Sequence, residues 1–299
     1  MAFRNIIIES SAKLSVRNNQ LIINTDKEHS VAIEDISALL IESRQSTITT
    51  VALSQLGQNG CAVFFCDEKH LPCAVLEPYH QHSREPAVLK NQMSATEPLK
   101  KRLWQSIVKA KIANQAACLM LAGNKGDSEK LLSLVSTVKS GDAENVEATA
   151  AQSYFPALFG SGFVRMNDNG YNAGLNYGYA ILRGCIARFL AVYGFLPAFG
   201  LHHRSTLNAF NLADDLIEPF RPVIDLFVFR NIHSDDELTP QIKRALFNCL
   251  NLDILSGNQN HSVSYAIERM VQSLSRSFAE GKADLLLPEL LDLQQHCYE

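Results

Sequence analysis

The stretch Pro78-Tyr-His-Gln-His-Ser-Arg-Glu-Pro86 decides the fold, because the period of the sequence changes across it. Upstream lie short β-branched runs at 5–9, 12–16, 20–24, 29–33, 38–42 and 62–65, broken at Arg17-Asn-Asn19, Asp26-Lys-Glu28 and Gly57-Gln-Asn-Gly60. Such regular spacing between turn residues predicts a mostly antiparallel β domain. One helix interrupts it over 49–56, where apolar residues recur at helical spacing just before Gly57. Downstream, from Glu97, the pattern is helical: Leu99, Leu103, Ile107 and Ile112 follow one face and Lys100, Lys101, Arg102, Lys109 and Lys111 decorate the others. Further helices are expected over 127–139, from 142 toward 158, over 171–193 and on to the C-terminus. The predicted class is α+β: a small N-terminal antiparallel β domain (1–80), a linker (81–96) and a larger all-α domain (97–299).

The chain has 299 residues, 46% of them hydrophobic, which excludes a disordered polymer and suits about two domains. A formal charge of -4 argues at first against a nucleic-acid partner. That total hides a basic block: residues 81–140 carry 10 cations against 4 anions, between acidic segments with 6 against 9 (1–80) and 11 against 18 (141–299). Between Lys139 and Lys243 every cation is an arginine (Arg165, Arg183, Arg188, Arg204, Arg221, Arg230), a side chain whose planar fork suits carboxylate or phosphate. Structural ion pairing explains any one of them equally well. No secretory signal is expected from Met1-Ala-Phe-Arg-Asn5, and the apolar run 185–201 carries Arg188 and Pro197 and reads as a buried helix, not a membrane span. Seven scattered cysteines without a Cys-x-x-Cys pair suit free thiols in a reducing cytoplasm.

Three local features pair ligating residues with apolar surroundings. Glu147 leads a small-residue helix face through Ala148, Ala150 and Ala151; taken alone, the solvated helix residue is the favoured reading. Gly200-Leu-His-His203 follows an apolar segment, and adjacent histidines cannot share one helix face, so at most one points inward. In Asp214-Asp-Leu-Ile-Glu-Pro-Phe-Arg-Pro222, helical spacing would gather Asp214, Asp215 and Glu218 on one side, which requires a positive charge between them. Glu218 before Pro219 also fits a helix-capping carboxylate paired with Arg221. Taken together, Glu, His and a second acid are the donors that suit Mg²⁺ or Mn²⁺, the imidazole tilting the set toward Mn²⁺. No Ser-His-Asp or Cys-His spacing indicates a covalent protein nucleophile.

On these residues the sequence resembles the CRISPR-associated integrase family, the larger of the two universal spacer-acquisition proteins, and is most similar to versions from type II systems. The carriers are Glu147-Ala-Thr-Ala-Ala-Gln-Ser-Tyr-Phe155, Asn172-Ala-Gly-Leu-Asn-Tyr-Gly-Tyr-Ala-Ile-Leu-Arg183, Gly200-Leu-His-His203 and Asp215-Leu-Ile-Glu-Pro-Phe-Arg-Pro222. Lys13-Leu-Ser-Val-Arg-Asn-Asn-Gln-Leu-Ile-Ile23 and Leu71-Pro-Cys-Ala-Val-Leu-Glu-Pro-Tyr79 fit as well. The resemblance implies Glu147, His203 and Glu218 as catalytic metal ligands, with Asp215 at a further acidic position and Mg²⁺ or Mn²⁺ as cofactor. It implies a homodimer formed through the β domains, a small ferredoxin-like adaptation partner, and double-stranded DNA (protospacer and CRISPR repeat) as substrate. The implied activity is that of an endonuclease and integrase, in which a DNA 3′-hydroxyl attacks the repeat by transesterification. Lys101, Arg102, Lys109 and Lys111 are the expected phosphate contacts. Two rival readings stand beside this one: a simple DNA nuclease, and a non-catalytic helical scaffold in which Glu147, His203 and Glu218 do not converge on a cation-sized point.

Overall fold

The computed structural model describes residues 4–68, 72–76 and 85–297. The chain divides into two compact units, residues 1–83 and 84–299. In the first, β1 (Arg4–Ile8), β2 (Lys13–Arg17), β3 (Gln20–Asn24), β4 (Glu28–Ala32), β5 (Ile36–Ile41), β6 (Thr47–Ile48), α1 (Thr50–Gln58), β7 (Ala62–Cys66) and β8 (Pro72–Leu76) follow in order. They form two four-stranded sheets, β4-β3-β2-β6 and β1-β5-β7-β8. The β2–β3 hairpin closes through Asn18 and Asn19, both at positive φ (52° and 59°), with Arg17 opposite Gln20. A two-residue loop of that geometry matches the twist of the flanking strands, and asparagine tolerates it.

The expected antiparallel pairing holds for only part of this unit. β1 and β7 both run parallel to β5, and β6 runs parallel to β2. The reason is connectivity: a parallel pair needs a crossover, and α1 supplies it between β5 and β7. All six residues of β5 are buried, as suits an interior strand covered on both faces. Leu39 from this strand packs with Leu14, Leu21, Leu56 and Val63 in the unit's core. Thr49 caps α1 by accepting from the Ala52 N–H at 3.2 Å.

The second unit holds α2 (Glu85–Ser94), α3 (Glu97–Leu121), α4 (Lys125–Leu134), α5 (Val146–Phe159), α6 (Gly170–Val192), α7 (Asn211–Leu216), α8 (Arg221–Asn231), α9 (Pro240–Asn248), β9 (Leu252–Ser256), β10 (Gln259–Ser262), α10 (Val263–Glu280) and β11 (Glu289–Gln295). It departs from the expected all-α domain by a three-stranded antiparallel sheet, β10-β9-β11. Gly257 and Asn258, both at positive φ (62° and 67°), make its hairpin turn. Residues 81–96, expected as a linker, carry α2 from Glu85 onward. Among the described residues no helix is long and apolar enough to cross a membrane.

Two packing features position the site. The 25-residue α3 is the central helix, with Leu103, Trp104, Ile107, Val108, Ile112 and Leu119 buried along it. In α6, a Cβ on Gly174 would lie 2.6 Å from Ile232 Cδ1, and one on Gly178 would lie 2.5 Å from Ile224 Cγ2. The glycines of the Asn172–Arg183 motif therefore let α8 approach α6 backbone to side chain, a small-residue seam that no larger residue fits.

Candidate metal centre

Each candidate ligand is held by a different element. Asp142 accepts from the backbone N–H groups of Val146 (2.9 Å) and Glu147 (3.0 Å), which starts α5 and sets Glu147 in its first turn. Glu218 occupies a single 3-10 turn, 218–220, between α7 and α8. Pro219 takes the second position there, still within the first turn, where a missing N–H costs no helical hydrogen bond. The Pro219 carbonyl accepts from Asn114 of α3 at 2.8 Å, so α3 fixes this turn directly. Loop 196–199, which leads into Gly200, is anchored by the buried Gln92: its amide donates to the Leu196 and Phe199 carbonyls, both at 3.0 Å.

Glu147 and Glu218 meet at one point, and that point is the Lys111 ammonium. Lys111 Nζ donates to Glu147 Oε1 at 2.6 Å and lies 2.5 Å from Glu218 Oε2. The second approach is a close ion pair that buries Glu218 Oε2 against the ammonium. Arg221 Nε donates to the other oxygen, Oε1, at 2.9 Å. Burial alone would raise the Glu218 carboxyl; the Lys111 and Arg221 charges outweigh it and hold the group down at about 2. Burial likewise opposes the charge on Lys111, and the Glu218 and Glu147 carboxylates reverse that and raise its pKa.

His203 and Asp215 form the neighbouring pair. Asp215 is fully buried and collects the whole Gly200–His203 loop: Oδ2 accepts from Leu201 N (2.5 Å) and His202 N (3.0 Å), Oδ1 from His203 N (3.1 Å). His203 Nδ1 lies 2.7 Å from Asp215 Oδ1, and since an ionised carboxylate only accepts, Nδ1 carries the proton and Nε2 faces away from it. The hydrogen bond to Asp215 raises the His203 pKa against partial burial, with the Asp215, Glu218 and Asp214 charges adding to it. Gly200 is required here, because a Cβ would sit 2.5 Å from the His203 carbonyl and 2.6 Å from Asp215 Oδ2. His202 stacks on Trp104, ring centroids 4.4 Å apart, and His203 meets the same indole edge-on at 5.8 Å. A cleft of about 480 Å³ opens beside His203 and is lined by Lys100, Phe199, Arg204 and Asn208 among others.

Several sequence expectations change on this geometry. The three acids of the 214–218 segment do not gather on one side: Asp214 pairs with Arg183 at 2.8 Å, Asp215 serves the histidine loop, and only Glu218 faces Lys111. Lys111 is no surface phosphate contact; it is buried between two carboxylates. Lys101 and Arg102 are exposed and Lys109 is half-buried. Arginines 183, 204, 221 and 230 pair with Asp214, Glu97, Glu218 and Asp292. Sequence reasoning missed Lys111, Asn114 and Trp104 as parts of the site. A usable signal existed for Lys111, which continues the Leu103, Ile107 series at four-residue spacing and so belongs to the apolar face of α3.

Among the described residues, no three His, Cys, Asp or Glu side chains are grouped as a metal site. The donor chemistry nonetheless fits a divalent cation on two counts. A positive charge already sits where Glu147 and Glu218 meet, and the imidazole is held through its other nitrogen by a carboxylate, the usual support for a metal-binding histidine.

Two carboxylates that meet on a lysine ammonium, and a histidine held by a third carboxylate, thus lie in a helical unit that follows a strand-rich one. The model of the CRISPR associated protein Cas1 family matches residues 6–242, and the chain belongs to that family. It is 45% identical, over all of both chains, to the CRISPR-associated endonuclease Cas1 of Neisseria meningitidis serogroup C. A CRISPR-associated endonuclease of Saccharolobus solfataricus is 27% identical over 77% of this chain and 75% of its own. Among solved structures, a casposase bound to its integration product superposes with TM-score 0.77 at 20% identity, covering 95% of this chain and 92% of that one. Cas1 from Thermotoga maritima gives 0.74 at 15% identity, covering 94% and 99%.

Proposed function

We propose that this chain is a metal-dependent DNA endonuclease and integrase of CRISPR spacer acquisition. The 3′-hydroxyl of a short double-stranded fragment attacks a phosphodiester of the repeat, a new P–O bond forms to that hydroxyl, and the bond to the displaced 3′ oxygen breaks. Glu147, Glu218 and His203 would hold Mg²⁺ or Mn²⁺, which when bound polarises a phosphoryl oxygen and favours the attacking alkoxide. Asp215 has its oxygens committed to the 201–203 backbone and to His203, so it orients the imidazole and leaves direct ligation to Glu218. The observation that carries the reading is the meeting of Glu147 and Glu218 on one cation, beside a carboxylate-held His203, in a Cas1-family chain. For the two glutamates, the same observation weighs against a non-catalytic scaffold with scattered side chains.

Assembly belongs to the same proposal. A homodimer through the N-terminal β unit, a small ferredoxin-like partner and a cytoplasmic location complete it, and solved relatives include a Cas6-RT-Cas1–Cas2 complex (TM-score 0.71) and a Cas1–DNA complex (TM-score 0.53). Exposed Lys101 and Arg102, together with Lys109, are the proposed phosphate contacts. The test is purified protein with Mn²⁺ or Mg²⁺, a labelled duplex carrying a free 3′ end and a repeat target. Joined products that disappear in Glu147→Gln and His203→Ala support integration. Cleavage fragments alone would leave a simple nuclease, and full joining by either variant would remove the site assignment.

A further inference from the structure

Among the described residues, Lys111 is the cation that lies between the two carboxylates assigned above, and it is not a surface lysine that strayed inward. It continues the buried face of α3, its ammonium lies 2.6 Å from Glu147 Oε1 and 2.5 Å from Glu218 Oε2, and its side chain is 11% exposed. Resting on the proposed metal centre, we propose that Lys111 is a tethered placeholder: it balances Glu147 and Glu218 in the metal-free protein and must leave them when a divalent cation enters, so that metal affinity is set by this competition.

The argument is one of size and charge. Oxygens hold Mg²⁺ or Mn²⁺ at about 2.1 Å, close to the spacing at which they now hold the ammonium, so both cations cannot occupy that point. An ammonium left in place would face a doubly charged ion a few ångströms away within a buried site, where repulsion is poorly screened. Arg221 does not share this conflict, because it binds the opposite oxygen of Glu218. It can remain while Oε2 turns to the metal. The four-carbon stem of lysine gives the ammonium a way out that a shorter cation would lack. Without any cation, the buried Glu218 and the half-buried Glu147 carboxylates would face one another unbalanced. The placeholder thus keeps the site assembled until metal arrives.

Mn²⁺ titration by calorimetry on the full chain without DNA tests the proposal. Lys111→Met and Lys111→Gln should bind Mn²⁺ at least about tenfold more tightly than wild type, the gain from removing one competing ion-pair partner. The same variants should melt at lower temperature than wild type without metal and recover with saturating Mn²⁺. A measurement on wild type stands should both variants fail to fold: acylation of Lys111, read by mass spectrometry against Lys109, should rise several-fold when Mn²⁺ is added. Affinity unchanged or weakened in a folded Lys111 variant, or Lys111 acylation indifferent to Mn²⁺, overturns the placeholder while leaving the metal centre standing. If Glu147→Gln and Glu218→Gln instead titrate like wild type, the centre itself is wrong and the placeholder falls with it.

Discussion

Replacing Glu218 by glutamine isolates the charge at the heart of the site, since the side chain keeps its shape and loses only its ionisation. The Glu218 carboxyl titrates at about 2 against an ordinary 4.5, and a depression of that size corresponds to about 3 kcal/mol of folding stability at neutral pH. An independent route gives the same order: removing one member of a buried ion pair costs about 3–5 kcal/mol, because Lys111 and Arg221 are left under-compensated. The sign follows from the depressed value. Glu218 stabilises the fold above pH 4.5, and its contribution is lost as pH falls through about 2. Guanidinium unfolding of wild type and Glu218→Gln from pH 7 to pH 3 measures it, and the difference between them should fall by about half between pH 5 and pH 3. Glu147 has one cationic partner and is 23% exposed, so Glu147→Gln should cost only about 1 kcal/mol. Equal stability of wild type and Glu218→Gln, or a pH-independent gap, would refute the reasoning. The contrast also fixes which variant serves activity assays, because loss of joining by a Glu218 variant includes loss of fold.

Other consequences are open to direct measurement. Gly200→Ala should push apart the His203 carbonyl and the Asp215 carboxylate, lowering stability by about 1–3 kcal/mol and joining activity at least tenfold; wild-type behaviour would mean the loop is not held as described. Charge reversal at Lys101 and Arg102 should lower the slope of log affinity against log salt by roughly 0.9 for each phosphate no longer neutralised, whereas an unchanged slope removes them from the DNA surface. Burial pushes the Asp225 carboxyl up to about 6 from 3.8, although Tyr179 and Tyr154 donate to it. Its stabilising share is therefore complete below pH 3.8 and lost as pH rises through about 6. Unfolding of wild type against Asp225→Asn should show wild type losing about 2 kcal/mol relative to the variant between pH 4 and pH 7, and a constant difference would count against it.

What could be read in the sequence follows from how local each signal is. Asn18-Asn19 and the runs around it announce a hairpin within ten residues, and β2 and β3 lie where expected. Parallel pairing of β5 with β1 and β7 depends on a crossover and leaves no mark in either strand. The C-terminal hairpin did leave one, Gly257-Asn258, but its strands of five and four residues are flanked by helices and lack a long alternating run. At the site, Glu147, His203 and Glu218 stand in motifs, yet their partners come from α3, 36 residues before Glu147 and 107 before Glu218 in the case of Lys111. A lysine among five cations in twelve residues looks solvated until its spacing is compared with the apolar residues of the same helix. The geometry also separates two acids that sequence treats alike: Asp215 is consumed by backbone donors and Glu218 by cations.

The seam between α6 and α8 works as a gauge block for the proposed centre. Gly178 faces Ile224, three residues beyond Arg221 and six beyond Glu218 on a continuous stretch of turn and helix. The thickness of that one contact sets how far the start of α8, and with it the Glu218 carboxylate, stands from Lys111. A methyl group added at Gly178 would touch no ligand and no substrate, yet it would shift the machining of the whole centre. Loss of catalysis from such a change would be a fault of tolerance, and a search confined to residues lining the cleft would not find it.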